Sequence, residues 1–167
     1  GGYSVAGSVG IPVFDTRTAG DTAFLVRSIR LTSQVEFSPD GDELAIVGGD
    51  PRGSDWNWQV QLMDATDGTL RQTILLDTYA RAIAYDRRRP FFYLLVPDQE
   101  NSLIHLQVWH TGTRELLAEL EAACQRSRCG SEMRLIASTT SYCLYASESY
   151  GPFGVHRFRL PPPGVLP

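Results

Sequence analysis

The sequence contains no lysine, and all 15 of its basic residues are arginine. The chain therefore offers no side-chain ammonium group for a Schiff base or for transfer of acetyl or ubiquitin groups. Acidic residues outnumber the arginines, and the formal net charge is −4. This balance disfavours nucleic acid and anionic membrane surfaces as partners, and we expect the chain to bind no nucleic acid.

Long apolar runs are also missing. The longest, around residues 91–96, has the length of a strand and falls far short of the ~18–20 residues that a membrane helix needs. We therefore expect no membrane span. Residues 1–5 show no positive segment followed by an apolar stretch, so no uncleaved signal peptide is predicted. Apolar residues make up 43% of the chain and charged residues 20%, which is typical of a soluble folded domain.

Cysteine is scarce, with three residues in the chain. Cys124 and Cys129 bracket four residues, and an oxidising compartment would allow a disulfide between them. Neither has the second pair of ligands or the adjacent histidine that a structural zinc site requires. Cys143 lies in an apolar stretch, where we predict a small buried side chain.

Motifs for catalysis are absent as well. The sequence has no Gly-x-Ser-x-Gly segment to present a nucleophile and no glycine-rich strand-to-helix segment to hold phosphate. His105, His110 and His156 all fall on predicted third strands, but in positions that are not expected to converge on one metal ion. The sequence thus predicts no catalytic residue, no metal site and no cofactor, and it favours binding over catalysis.

A repeated strand pattern takes the place of such motifs. An apolar strand ending at Phe37 leads through Ser-Pro-Asp-Gly at residues 38–41 to a second strand, and a third follows at residues 60–64. A weaker copy comes next in the chain, so that Met63 and Trp109 lie 46 positions apart. A period of about 40–50 residues with four short strands per unit is typical of a β-propeller blade.

The repeats divide this all-β chain into blades. Two complete four-stranded blades are predicted at residues 35–77 and 80–121, and partial blades at about 3–30 and at 132–160. The tail at 161–167 is rich in proline, which cannot continue a sheet. Because propellers close with typically four to eight blades, we predict a single propeller segment that forms an arc of a larger ring. The other blades would come from further sequence or from another subunit.

The last strand of the second blade has helical propensity. Residues 114–123 are rich in leucine, alanine and glutamate, which favour helix locally. The blade pattern nevertheless requires an outer strand here, and packing can override propensity. We predict a strand to about Leu120, followed by a loop or a short helical turn that reaches Cys129.

The motifs resemble those of WD40-like and YVTN-type β-propeller repeats. Residues 38–46 are similar to the first hairpin of such repeats, and residues 60–68 resemble the third strand that ends in Trp-Asp. In this sequence Met63 stands where the tryptophan would be, and His110 stands where the aspartate would be. No Gly-His pair precedes a blade. Propellers of the TolB, prolyl-oligopeptidase and quinoprotein-like types are equally similar. The resemblance implies a propeller fold.

A segment at residues 48–58 is the richest candidate for binding. It is predicted as a loop inserted between the second and third strands of the first blade, and its tryptophan beside arginine and aspartate has the composition of an interface anchor. The alternative is that Trp56 packs against a neighbouring blade while Trp58 begins a strand. Analogous loops lie at residues 98–101 and 147–153. The predicted partner-binding residues are Asp50, Arg52, Asp55, Trp56, Gln99, Tyr150 and Phe153.

Three consecutive arginines at residues 87–89 lie in the first turn of the second blade. They have two interpretations, since such a run either contacts an acidic partner or phosphate, or forms a solvated turn.

These features predict a non-catalytic β-propeller module that serves as a protein–protein interaction scaffold within a larger assembly. Its partners would be proteins, including any subunits that complete the propeller. The alternative is the propeller portion of an enzyme, of the peptidase or quinoprotein-like type, whose catalytic groups lie outside this segment. Propellers host both kinds of function, so the fold by itself does not separate them.

Overall fold

The computed structural model describes residues 11–14, 22–26, 29–52, 55–98, 100–123, 133–137, 143–148 and 155–160. Strands are the only regular elements in these ranges, as the sequence predicted, and the ranges contain no helix of the length and apolarity of a membrane span. The strands are β1 (Ile11–Phe14), β2 (Thr22–Val26), β3 (Leu31–Phe37), β4 (Glu43–Arg52), β5 (Asp55–Asp64), β6 (Leu70–Leu76), β7 (Ala82–Tyr85), β8 (Phe91–Asp98), β9 (Leu103–His110), β10 (Leu116–Ala123), β11 (Met133–Ala137), β12 (Cys143–Glu148) and β13 (Val155–Arg159).

The strands form antiparallel sheets in which each strand pairs with the next along the chain. β3 to β6 make one four-stranded sheet and β7 to β10 make another. A two-stranded sheet of β1 and β2 precedes them, and a three-stranded sheet of β11 to β13 follows. This succession of short meanders confirms the predicted all-β class, with two four-stranded blades flanked by two smaller sheets.

The chain divides into two compact units between Asp77 and Thr78, and each has its own core. In the first unit, strands β3 to β5 pack on β1 through a small cluster of apolar side chains. Its members are Leu44, Ile46 and Met63, with Val13, Ile29, Val35 and Ala65 against them. In the second unit, β7 to β10 pack on the last strand through a larger cluster. Its buried members are Ala82, Ala84, Phe91, Tyr93, Leu95, Ile104, Leu106, Val108, Phe158 and Leu160.

The turn between β3 and β4 forms as its sequence predicts. Gly41 has a φ of +81°, and its amide donates to the Ser38 carbonyl. The Asp40 carboxylate accepts hydrogen bonds from the Ser38 hydroxyl and the Asp42 amide. Glycine supplies the positive φ at little steric cost, and the aspartate caps the turn, so this hairpin is specified locally.

Strand β10 is longer than predicted. It continues to Ala123. The loop or short helical turn predicted after Leu120 is therefore wrong for residues 121–123. The rest of that segment lies outside the described ranges. Side chains of alternate residues explain the strand, because Ala118, Leu120 and Ala122 pack on the core of the second unit. Apolar packing along one face therefore outweighs the helical propensity of the segment.

The turns that follow β5 and β9 share one backbone pattern. The Asp64 amide donates to the Thr69 carbonyl, and the His110 amide donates to the Glu115 carbonyl, five residues ahead in both cases. The carbonyls of Asp64 and His110 accept from the amides of Gly68 and Arg114, four residues ahead. Both of those donors have positive φ, 76° for Gly68 and 62° for Arg114. The repeat visible in the sequence is thus preserved in the backbone.

Candidate functional site

Residues 48–52 and 55–58 of the predicted binding loop lie in paired strands, so their assignment to a loop is wrong. β4 runs to Arg52 and β5 begins at Asp55, and the two strands stay in register to the Arg52–Asp55 pair. Pairing of β3 with β4 stops at Gly49, and pairing of β6 with β5 stops at Trp58. Residues 50–52 and 55–57 therefore extend beyond both flanking strands, and we call these two paired stretches the hairpin arm.

Two glycines at the base of the hairpin arm allow close cross-strand contacts. Gly49 lies opposite Trp58, and a Cβ on Gly49 would overlap the indole of Trp58. A Cβ on Gly48 would overlap the Leu31 carbonyl of the neighbouring strand. Pro51 comes after the last residue paired with β3, where proline is tolerated because no neighbour there requires its missing N–H. The residues that indicated a loop are thus compatible with a strand.

Trp56 is the aromatic side chain of the hairpin arm. It is 45% exposed, and its ring stacks on that of Trp58 with a centroid distance of 5.2 Å and an interplanar angle of 12°. The two tryptophans are two residues apart on β5 and so share one face of the hairpin. The Trp58 indole lies over Gly49, and the Trp56 indole lies over Trp58 with its outer side facing solvent. Trp56 therefore contacts Trp58 instead of being buried in a neighbouring blade.

Asp50 holds the hairpin arm to the start of the sheet. One carboxylate oxygen accepts a hydrogen bond from the Arg30 amide at 2.8 Å, and the other accepts from Gln59 Nε2 at 3.1 Å. Both oxygens are thus engaged within the fold, which makes Asp50 a positioning residue. Asp55 is exposed and lies opposite Arg52 at the tip. Four of the predicted binding residues, Asp50, Arg52, Asp55 and Trp56, are therefore neighbours on one hairpin.

The other three predicted binding residues, Gln99, Tyr150 and Phe153, lie outside the described residues. Part of the loop around Gln99 is described, and there Asp98 accepts hydrogen bonds from the amide and the side chain of Asn101. The side-chain hydrogen bond from Asn101 is the main reason that the pKa of Asp98 lies below its usual value. The loop is thus closed by its own residues.

The three arginines at residues 87–89 divide into two groups. Arg87 and Arg88 are exposed, whereas Arg89 turns inward. Its guanidinium donates to Asp86 Oδ2 at 2.7 Å and to the Tyr93 hydroxyl at 2.8 Å. That hydroxyl donates to the same Asp86 oxygen at 2.6 Å. Burial raises the pKa of Asp86, but the hydrogen bonds from Tyr93, Arg88 and Arg89 outweigh it and leave the pKa below its usual value. Arg89 therefore stabilises the turn.

The histidines have separate environments. Nδ1 of His110 accepts hydrogen bonds from the amides of Gly112 and Thr113, at 3.1 and 3.0 Å. His105, near the other end of β9, faces the carboxylates of Glu119 and Glu121 on β10. The side chain of His156 is outside the described part of the chain. The sequence pattern does not place these two carboxylates beside His105, because their position depends on the register of β9 and β10.

Comparisons with known proteins support the fold. No protein-family model matches the chain, and no curated protein matches it. A chain in the crystal structure of the Mitotic Checkpoint Complex is 17% identical, and the match has a TM-score of 0.63 and covers 89% of this chain and 42% of that one. This similarity supports the β-propeller fold, and the present chain spans about two fifths of the length of that solved chain.

Two further solved structures have lower similarity. Hsv2 from Kluyvelomyces marxianus is 11% identical with a TM-score of 0.44, covering 77% of this chain and 35% of its own. KlHsv2 with loop 6CD replaced by a Gly-Ser linker is 9% identical with a TM-score of 0.43, covering 77% of this chain and 40% of its own.

Proposed function

We propose that this chain is a non-catalytic propeller segment that serves as a protein–protein interaction scaffold, and that the hairpin arm contacts the partner. The observation that carries the proposal is the solvent-facing Trp56 ring, supported from below by Trp58. Tryptophan is among the residues that contribute most to binding when a partner covers them. An indole that is 45% exposed at the tip of an extended hairpin is available for such a contact.

The polar residues around Trp56 support the same role. Asp55 is exposed beside it, and Arg52 lies opposite Asp55 in the strand register. Protein interfaces commonly surround an apolar or aromatic centre with a polar rim that fixes the orientation of the partner. Trp56 would supply the centre and the tip residues would supply part of the rim.

A larger assembly is the second part of the proposal. The similar solved chain was crystallised in a complex, the Mitotic Checkpoint Complex, and the match covers 42% of that one chain. The described residues form two four-stranded sheets and two smaller ones, which are fewer complete blades than the four to eight with which propellers usually close. We infer that further sequence or another subunit supplies the remaining blades. We also propose that the blade units of this segment are those predicted at about 3–30 and at 35–77, 80–121 and 132–160, with the first complete blade extended back to Leu31 and the second extended to Ala123.

Affinity capture from cells of the source organism tests the role of the hairpin arm. The full-length chain is used as bait in three forms: the wild type, Trp56→Ala and Leu75→Ala. Leu75 is 65% exposed on β6, so Leu75→Ala removes a comparable exposed apolar side chain from another strand. We expect one set of proteins to be retained by the wild type and Leu75→Ala and to be lost with Trp56→Ala.

Thermal unfolding of the three baits establishes that each is folded before capture. Trp56 is 45% exposed and stacks on Trp58, so its replacement should lower the unfolding temperature by only a few degrees and leave the bait folded. If a folded Trp56→Ala bait retains the same proteins in the same amounts, the hairpin arm is not the docking site. Capture of no specific protein by any bait would contradict the scaffold role itself.

A further inference from the structure

One face of the β9–β10 pair brings together a histidine and two glutamates. In the antiparallel register His105 lies opposite Glu121, and Gln107 lies opposite Glu119. Residues directly opposite each other in such a pair project from the same face, and diagonal neighbours are also within reach of long side chains. His105, Glu119 and Glu121 therefore point to a common region at one end of the hairpin.

The donor atoms of these three side chains are close enough to share an ion. Nδ1 of His105 is 3.1 Å from Oε1 of Glu119 and 3.7 Å from Oε1 of Glu121. One donor atom from each residue lies within 4.8 Å of the others. Zinc bonds to nitrogen and oxygen are about 2.0–2.2 Å long, so donors around a tetrahedral zinc are roughly 3.3–3.6 Å apart. The observed spacing needs only small side-chain rotations to reach that value.

Other polar groups orient these ligands. Gln107 Nε2 donates to Oε2 of Glu119 at 2.9 Å, which leaves Oε1 directed at His105. Trp109 Nε1 in turn donates to the Gln107 side chain at 3.2 Å. On the far side of the imidazole, Oδ2 of Asp98 lies 3.8 Å from Nε2 of His105. A carboxylate near the second ring nitrogen and a hydrogen bond that fixes the ligating carboxylate are the usual outer partners of a metal site.

The charges at this position also favour a cation. Three carboxylates surround one imidazole, and a proton on that imidazole would balance only one of them. A divalent ion would balance Glu119 and Glu121 together. The His105 side chain is 16% exposed, whereas those of Glu119 and Glu121 are 38% and 60% exposed. The ligands are thus held against the sheet on one side and open to solvent on the other, where water can complete the coordination.

We propose that His105, Glu119 and Glu121 bind a divalent transition-metal ion, with Zn²⁺ as the favoured occupant. The nitrogen donor selects zinc and similar ions over Mg²⁺ and Ca²⁺, which take oxygen ligands. The ion joins the two outer strands of the second blade through side chains that already share one face. The proposal does not depend on the role of the hairpin arm, which belongs to the other compact unit.

Calorimetric titration of the full, chelator-treated chain with Zn²⁺ alone tests this site. Four forms are compared: the wild type, His105→Gln, Glu119→Gln and the control Glu115→Gln. Glu115 precedes β10 at the opposite end of the hairpin, so its variant makes the same chemical change away from the proposed ligands. We expect one equivalent to bind the wild type and the control, and the affinity to fall at least tenfold in the other two variants.

Thermal unfolding with and without saturating Zn²⁺ provides a second readout. An ion that binds only the folded state raises the unfolding temperature of the wild type and of Glu115→Gln, and it should raise that of His105→Gln much less. Far-ultraviolet circular dichroism shows whether each variant remains folded. If His105→Gln is unfolded, Glu121→Gln replaces it, because Glu121 is the most exposed of the three ligands.

Three results would overturn the proposal. The first is the absence of any heat of binding with Zn²⁺ at about 1 mM, a concentration well above the dissociation constant expected of a specific zinc site. The second is undiminished affinity in folded His105→Gln, which would assign the ion to other residues. The third is equal competition by Mg²⁺, which would show that the imidazole nitrogen is not a ligand and that the cluster is only a set of ion pairs.

Discussion

The side chains of Asp64 and His110 perform the same task in two successive blades. Oδ1 of Asp64 accepts a hydrogen bond from the Thr66 amide at 2.8 Å, two residues ahead. Nδ1 of His110 accepts from the Gly112 amide, also two residues ahead, and from Thr113. An imidazole nitrogen thus replaces a carboxylate oxygen as the cap of the turn. Because Nδ1 accepts these hydrogen bonds, it carries no proton, and the ring proton is on Nε2.

Replacing His110 tests this equivalence. We expect His110→Ala to lower the free energy of unfolding by about 1–2 kcal/mol, as loss of a capping acceptor does, since two turn amides lose their partner. His110→Asp should retain most of the stability, because aspartate supplies the acceptor that Asp64 supplies in the preceding blade. Urea denaturation measures both. Equal loss in the two variants would show that ring packing against Phe91 matters more than the hydrogen bonds.

The acid sensitivity of the chain should depend in part on Asp64. The Thr66 amide and the Arg71 guanidinium lower the pKa of Asp64 from 3.8 to about 2. A carboxyl whose pKa is lower in the folded state than in the unfolded state stabilises the fold above its unfolded pKa, and that contribution is lost as the pH falls from about 4 to about 2. Asp64→Asn should therefore lose less stability than the wild type between about pH 6 and pH 3.

Urea midpoints at the two pH values measure this effect. Asp55→Asn removes an exposed carboxylate from the hairpin arm and serves as the charge control. The interpretation is wrong if Asp64→Asn and the wild type lose the same stability on acidification.

The Tyr93 hydroxyl should be important for stability. Tyr93 is fully buried, and its hydroxyl contacts both Asp86 and Arg89. Tyr93→Phe preserves the ring but removes one hydrogen-bonding partner from each charged group, which should cost about 1–3 kcal/mol of unfolding free energy. Tyr79→Phe is the matched control, because it also removes a hydroxyl bonded to an arginine, but at a partly exposed position. A cost no greater than that of the control would contradict the prediction.

A methyl group at Gly49 should disturb the tryptophan pair. In Gly49→Ala the new Cβ overlaps the Trp58 ring, so the indole has to move and Trp56 loses its support. We expect a loss of about 1–3 kcal/mol and a changed near-ultraviolet circular dichroism spectrum. Gly41→Ala is the control, since it strains a backbone of positive φ but has open space around the Cβ. An unaltered aromatic spectrum in Gly49→Ala would show that the two rings are not coupled to Gly49.

The parts of the fold that depend on local signals could be predicted from the sequence. The turn at Gly41 carries its own conformational preferences, and the alternation of apolar residues in β9 fixes which side chains are buried. The order of the strands followed because consecutive strands joined by short turns pair with each other. Resemblance to propeller repeats then gave the grouping of strands into blades.

The candidate sites depended on contacts across strands, and local signals do not determine these. Gly49 and Pro51 indicate a loop when considered alone, and only the position of the Trp58 ring opposite Gly49 explains why the strand continues. The cluster at His105 requires both a strand at residues 116–123 and the register that brings Glu121 opposite the histidine. A shift of one residue would turn these glutamates to the other face, so composition alone does not reveal the cluster.

The stacking of Trp56 on Trp58 has a consequence for the kinetics and thermodynamics of association. Stacking on Trp58 limits the torsions of the Trp56 indole in the free protein, so the proposed partner would remove little rotational freedom by covering it, a loss that otherwise costs about 0.5–1.5 kcal/mol per side chain. Aromatic rings with two torsions are efficient anchors for this reason. We therefore expect the free and bound conformations of this tryptophan to superimpose, with binding proceeding as a rigid encounter.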